Sequence, residues 1–321
     1  MKLSTFRVKR RKQPTIGAYA DGVYVDLPAL TGNELPRTMI DFLRAGDAAM
    51  ATARSALASI TGQLRGASPP DLKLPNGKRY AFTEKEIELL PPVPRPGKII
   101  HTACNFDAHL GELTTWKDPE WESHNWKDFH FEHPTGFLQA PSSVVPSGAR
   151  VAPPVFTRQL DYEIEIAIVI GKEAYRVGAE EAMDYVAGYT VFNDLSARDI
   201  QAREHSNKVI LMGKSFKGSC PLGPWLVTKD ELPDPHNLDM KLRVNGEVRQ
   251  DANTGQMHYK TRELVSWWSH MGLEPGDVIT SGSPPGVAAG MPVPKWLQPG
   301  DVVEATVERL GTLTTRIVAQ A

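Results

Sequence analysis

Residues 161–171 read Asp-Tyr-Glu-Ile-Glu-Ile-Ala-Ile-Val-Ile-Gly, three acids at every second position giving way to a wholly apolar run. An extended strand sends alternate side chains to opposite faces, so Asp161, Glu163 and Glu165 share one face. The apolar residues that follow carry the strand into a core covered on both sides, by parallel neighbours or by a second layer. Two readings fit the acids. On the solvent face of an edge strand they would blunt pairing with other chains. At the entrance to a core they would repel one another and resist burial, a conflict that a bound divalent cation with oxygen ligands resolves.

Downstream residues bear on that choice. Residues 178–185 carry helix formers and 186–192 return to strand composition, so a strand–helix–strand unit is expected, bringing the ends of two strands together. Asn193-Asp194 falls where the second strand stops, and Asp194 becomes a third candidate ligand beside Glu163 and Glu165. Three carboxylates with water in the remaining positions describe a hard-cation site, Mg²⁺ first, with Mn²⁺ or Ca²⁺ as alternatives. Ser196 and Asp199 have the spacing of a helix N-cap and a first-turn acid.

Lys214 stands in Gly213-Lys214-Ser215-Phe216, a context suited to a partly buried ammonium that holds an anionic substrate group; a lone lysine is otherwise solvated. His109 and Glu112 are three residues apart and would share a helical face. They form either an ordinary exposed pair or an acid/base dyad in which the glutamate orients the imidazole.

Elsewhere the chain reads as an ordinary globular protein. At 321 residues, 41% hydrophobic and a net charge of -2, it can bury a sizeable core and lacks the balance suited to nucleic acid. Cys104 and Cys220 make no disulfide framework or Cys-rich metal spacing, no signal-length or membrane-length apolar run occurs, and a cytoplasmic location is expected. The basic residues of 7–12 are expected on a solvated hairpin. Residues 2–8, 15–19 and 22–27 look like strands, with Asp21-Gly22 as a turn, and 39–57 like a helix. Pro91, Pro92, Pro94 and Pro96 interrupt any regular element, so the boundary is placed between a small domain, 1–92, and a larger one, 93–321. Between 113 and 134, Trp116, Trp121, Trp126, Phe129 and Phe131 stud a long polar stretch that reads as a lid. His124, His130 and His133 within it match no standard metal spacing.

Together, residues 161–171, 182–199, 213–216, 242–247 and 276–287 resemble the fumarylacetoacetate hydrolase superfamily, in order and over nearly all of 93–310. The resemblance implies an α+β, β-rich fold: a mixed β-sandwich or roll catalytic domain behind a small N-terminal α/β domain of the kind bacterial members carry, assembled as a homodimer. It implies that Glu163, Glu165 and Asp194 hold the metal, that Lys214 is the active-site lysine and that His109 and Glu112 activate water. Arg198 and Gln201 fall on a segment that borders the substrate. Ser283 stands where the family usually has threonine, which keeps a hydroxyl for substrate binding. The activity implied is hydrolysis of a carbon–carbon bond in a 1,3-dicarbonyl acid such as an acylpyruvate or fumarylpyruvate, within aromatic-compound catabolism. Decarboxylation or tautomerisation of a 2-oxo acid uses the same enolate chemistry, and a non-catalytic oxo-acid-binding protein is the alternative from another class.

Overall fold

A computed structural model describes residues 1–65, 71–114, 116 and 132–320. The fold is mixed α+β and strand-rich. A 12-stranded sheet runs in the order Ala81–Phe82, Val23–Asp26, Thr15–Ala20, Lys2–Val8, Cys220–Thr228, Val186–Asn193, Ile164–Ile170, Val278–Thr280, Ile99–Thr102 and Gly136–Gln139, with Ile87–Leu90 and Val144–Val145 branching from it. A second sheet of 5 strands comprises Glu247–Asn253, Asp239–Val244, Val302–Val307, Gly311–Ile317 and Ala149–Val151.

The strand Ile164–Ile170 lies deep inside the larger sheet, antiparallel to both neighbours, which rules out the exposed-edge reading. Its alternation divides two cores. Ile164, Ile166, Ile168 and Ile170 join Leu242, Val303 and Leu313 of the smaller sheet. Ala167 and Val169 face the other way and pack with Leu3, Phe42 and Ala53 of the N-terminal segment. Both faces are buried because both are covered, which is why the run after Glu165 carries no polar residue.

The N-terminal strands extend the same sheet, Leu3 lying opposite Leu226. Asp21 and Gly22 both take positive φ, 47° and 82°, which matches a tight hairpin between Thr15–Ala20 and Val23–Asp26. The expected helix over 39–57 is two, Met39–Arg44 and Gly46–Leu64, divided at Gly46 with φ 68°. Arg7 and Arg11 are tied to Glu88 and Asp26.

Residues 178–185 hold turns and a single 3₁₀ segment, Ala182–Tyr185, where a helix was expected. Without a crossover helix to cover the sheet, the strands this connection joins pair antiparallel. That change decides the site. In a hairpin the end of the second strand returns to the start of the first, so Asn193 pairs with Ile164 and the Asp194 amide donates to the Glu163 carbonyl at 2.9 Å. Ser196 is not a helix cap; it lies in the short strand Ser196–Ala197, paired with Leu160–Asp161, and the helix that follows, Arg198–Ser206, starts without a side-chain cap. The expected lid falls almost wholly outside the described residues; of its aromatics Trp116 is buried near Trp296. Among the described residues no helix is long and apolar enough to cross a membrane.

Candidate active site

A cavity of about 490 Å³ opens where the acidic strand enters the core, and His109, Glu163, Glu165, Asp194, Arg198, Gln201, Lys214 and Ser283 all line it. The fold brings these sequence-distant residues together because the Ile164–Ile170 strand, the end of its hairpin partner and the Arg198–Ser206 helix meet at one point.

One side of the cavity is an ion-pair ladder. Arg198 donates through Nε to Asp161 at 2.8 Å, through Nη2 to Glu163 at 2.6 Å and through Nη1 to Gln201 at 2.9 Å. Lys214 Nζ bridges Glu163 and Asp194 at 2.6 and 2.5 Å. Asp161 is fully buried, neither solvent-facing nor idle, and also accepts the amides of Ala288 and Ala289. Burial works against the Glu163 carboxylate, but Arg198, Lys214 and His109 outweigh it and hold its pKa well below the usual range. Burial would likewise discharge Lys214, yet Asp194 and Glu163 raise its pKa. Burial also lifts the Asp194 carboxyl; the 2.5 Å contact and the raised lysine both describe a charged ammonium, so Lys214–Asp194 is read as an ion pair.

The other side is different. Glu165 accepts an amide hydrogen from Gly282 at 3.0 Å, and burial, with Asp194 and Glu163 nearby, raises its pKa well above 4.5. His101, Glu165 and Asp194 each offer one ligand atom, all within 4.8 Å of one another. His101 shows why this cluster suits a cation. Gln139 donates through Nε2 to the Lys214 carbonyl and, at 3.2 Å, to Ser219 Oγ, so its Oε1 is the acceptor facing His101 Nε2 at 2.6 Å. The network therefore puts the imidazole proton on Nε2 and leaves a lone pair on Nδ1. Nδ1 faces Asp194 Oδ2 at 3.4 Å, and burial lowers the His101 pKa, keeping the ring neutral. Thr280 Oγ1, 3.2 Å away, can donate to that lone pair, but the lone pair and the carboxylate beside it still repel unless a cation lies between them. Asp161, Glu163, Glu165 and Asp194 as carboxylates against Arg198 and Lys214 leave an excess of two negative charges, that of one divalent ion. The residues fit a metal.

His109 and Glu112 lie on the helix Asp107–Leu113, Nδ1 to Oε2 at 3.1 Å, with His109 Nε2 turned toward Glu163 at 3.8 Å. Glu112 is anchored from behind by the Gly286 amide at 2.9 Å, and a Cβ at Gly290 would collide with its Cγ. Ser283 lines the cavity and accepts from Gln250 Nε2 at 2.9 Å. Cys104 lines it as well, but burial pushes its thiol up to about 12, so it remains a neutral thiol.

Sequence reasoning passed over His101, Gln139 and Gly290. The one available signal was a histidine closing an apolar strand, Ile99-Ile100-His101, where an ionisable group would enter the same core as Glu165.

The profile of the family described as "Fumarylacetoacetate (FAA) hydrolase C-terminal" matches residues 98–318. "Oxaloacetate tautomerase Fahd2a, mitochondrial" of Rattus norvegicus is 37% identical over 322 residues, covering 99% of this chain and 92% of that protein. The fumarylacetoacetate hydrolase of Exiguobacterium antarcticum superposes with a TM-score of 0.75 at 29% identity, over 99% of this chain and 100% of the other. The maleylpyruvate hydrolase of Sphingobium sp. SYK-6, in complex with manganese(II) ion and pyruvate, gives 0.73 at 25% identity, over 100% of both. A profile over more than half of the chain, a relative matched along nearly its whole length and a shared fold agree: this protein belongs to the fumarylacetoacetate hydrolase family.

Proposed function

We propose that this enzyme is a metal-dependent tautomerase of a short 2-oxo dicarboxylic acid, with oxaloacetate as the first substrate to test. The observation that carries it is a held imidazole, His109, facing an acidic, cation-demanding pole across one cavity. Tautomerisation needs a proton carrier, the part His109 would play, and an electron sink, which a cation held at the acidic pole would supply; the rat relative at 37% identity supports the same choice.

Glu165 and Asp194 would hold the cation, with His101 and Glu163 as further ligands; Glu163 is free for that role only where Lys214 Nζ releases it. Imidazole among the donors widens the choice from Mg²⁺ to Mn²⁺. A bound divalent ion would grip the neighbouring oxygens of the 2-oxo acid and draw electron density toward them. His109 Nε2 then takes a proton from the carbon next to the keto group, while Glu112 holds Nδ1–H and offsets the imidazolium charge. Lys214 stays an ammonium and opposes the charge developing on the oxygen, which takes its proton from water as the enol leaves. In the reverse direction His109 returns the proton to carbon. Gln201 and Ser283 border the substrate, and Arg198 sets Glu163 and Gln201 in place.

The expected outcome is that the Mn²⁺-loaded protein accelerates enol-to-keto conversion of oxaloacetate, followed by ultraviolet absorbance, and that His109→Ala slows it by about 10²–10⁴-fold. A wild-type rate equal to buffer would sink the proposal. The cavity volume, with room beyond a four-carbon acid, favours a second reading, carbon–carbon hydrolysis of an acylpyruvate. There His109 would activate water, and release of pyruvate from such substrates would identify it.

A further inference from the structure

The cations that line the deep cavity are already committed. Arg198 is shared by Asp161 and Glu163, and Lys214 by Glu163 and Asp194. Arg198 cannot meet a further anion without stripping a buried carboxylate, and Lys214 is assigned to the oxygen on which charge develops, so neither is left for a second carboxylate. Lys208 lines the same cavity from its rim, exposed and, among the described residues, with no carboxylate in ion-pair range. Its backbone is held in place. Its φ is 59°, and its amide donates to the His205 carbonyl at 2.7 Å. The loop carrying it is stapled to the Arg198–Ser206 helix by Glu204, whose carboxylate accepts the amides of Leu211, Met212 and Gly213 at 2.9, 2.6 and 3.0 Å. Val209 and Ile210 beside it present apolar surface to the cavity wall.

We infer that Lys208 reads the second carboxylate of the substrate and so makes the site selective for 2-oxo dicarboxylates over 2-oxo monocarboxylates. This rests on the reading of the cavity as a 2-oxo acid site. The oxo-acid end is directed to the acidic pole, and the far carboxylate of a molecule lying across the cavity meets Lys208, the one ammonium outside an ion pair among the described residues that line it. Because that carboxylate keeps its charge in both the keto and the enol forms, the contact is equal in ground and transition states; its loss raises KM and leaves kcat unchanged.

The test uses the full-length Mn²⁺-loaded protein as wild type, Lys208→Met and Lys208→Arg. Titration calorimetry with oxaloacetate and with pyruvate is run beside turnover of the enols of oxaloacetate and phenylpyruvate. Lys208→Met is expected to weaken oxaloacetate binding and raise its KM about tenfold, to leave pyruvate affinity and phenylpyruvate KM unchanged, and to flatten the salt dependence of oxaloacetate affinity. Lys208→Arg restores most of the loss. Equal oxaloacetate affinity in wild type and Lys208→Met overturns the inference and leaves the tautomerase proposal intact. Wild type that binds both acids and converts neither removes the proposed activity, while the calorimetry still decides Lys208. Wild type that binds neither acid overturns both.

Discussion

Glu163 and Glu165 stand two residues apart, at 5% and 2% exposure, yet they belong to opposite poles of one cavity. The Glu163 pole is a closed circuit in which Arg198 and Lys214 meet each carboxylate oxygen. The Glu165 pole, with His101 and Asp194, gathers three ligand atoms within 4.8 Å of one another; the Gly282 amide, the Thr280 hydroxyl and Lys214 donate into it, but among the described residues Glu165 has no ion pair of its own. Desolvation is nearly the same for both glutamates, so it cannot separate them; the charged neighbours do. The lesson is that burial of an acid says little about its role until its partners are counted. A saturated carboxylate organises, and an unsaturated one waits for an ion.

The largest effect should come from opening the closed circuit. Arg198→Met would leave Asp161 and Glu163 buried without their shared partner and cost about 3–5 kcal/mol of stability, measured by urea unfolding. Glu165→Gln, by contrast, removes an uncompensated charge and should leave the metal-free protein as stable as wild type or more so. A large loss in both would erase the distinction between the poles.

Next in size is the response to metal and pH. At 100 times its dissociation constant Mn²⁺ should add about 2.7 kcal/mol to wild type, and Glu165→Gln should lose that gain. The two glutamates also predict opposite pH slopes without metal. The raised Glu165 pKa means that its contribution is full below 4.5 and fades as pH climbs through the raised value; the lowered Glu163 pKa means a contribution present above 4.5 that is lost as pH falls below it. Denaturation midpoints across pH, for wild type and Glu165→Gln, read the sign directly. A wild-type curve without the decline on the alkaline side would refute the uncompensated pole.

The smallest effect sharpens the comparison at one proton. Gln139 fixes the His101 tautomer, so Gln139→Ala should weaken Mn²⁺ affinity by about 10–100-fold, beside a loss of about 1–3 kcal/mol of unfolding stability in chelator from its buried hydrogen bonds. Calorimetric titration of Mn²⁺ checks this, and unchanged affinity would show that His101 is not a ligand.

Much of the site was legible because local pattern and chemistry coincide there. Alternation placed Glu163 and Glu165 on one face, and Asp194 was sought at the end of the next strand. That placement held for a different reason: the expected crossover helix is a turn and a 3₁₀ segment, and an antiparallel hairpin sets Asp194 against Glu163. Strand composition cannot reveal the sense of pairing, because parallel and antiparallel neighbours bury the same residues. His101 and Gln139 were missed because their meaning depends on which atoms face them, and the sequence separates them by 38 positions.

What the sequence determined by itself was the inventory: a buried strand headed by acids, a histidine–glutamate pair at helical spacing, a lysine in a tight polar setting, and a family resemblance that the full-length comparison bears out. Tertiary structure alone decided how charge is shared among them. Coulomb interactions act through space, so whether an acid is spent on Arg198 and Lys214 or left to demand a cation depends on ångström distances between residues far apart in the chain.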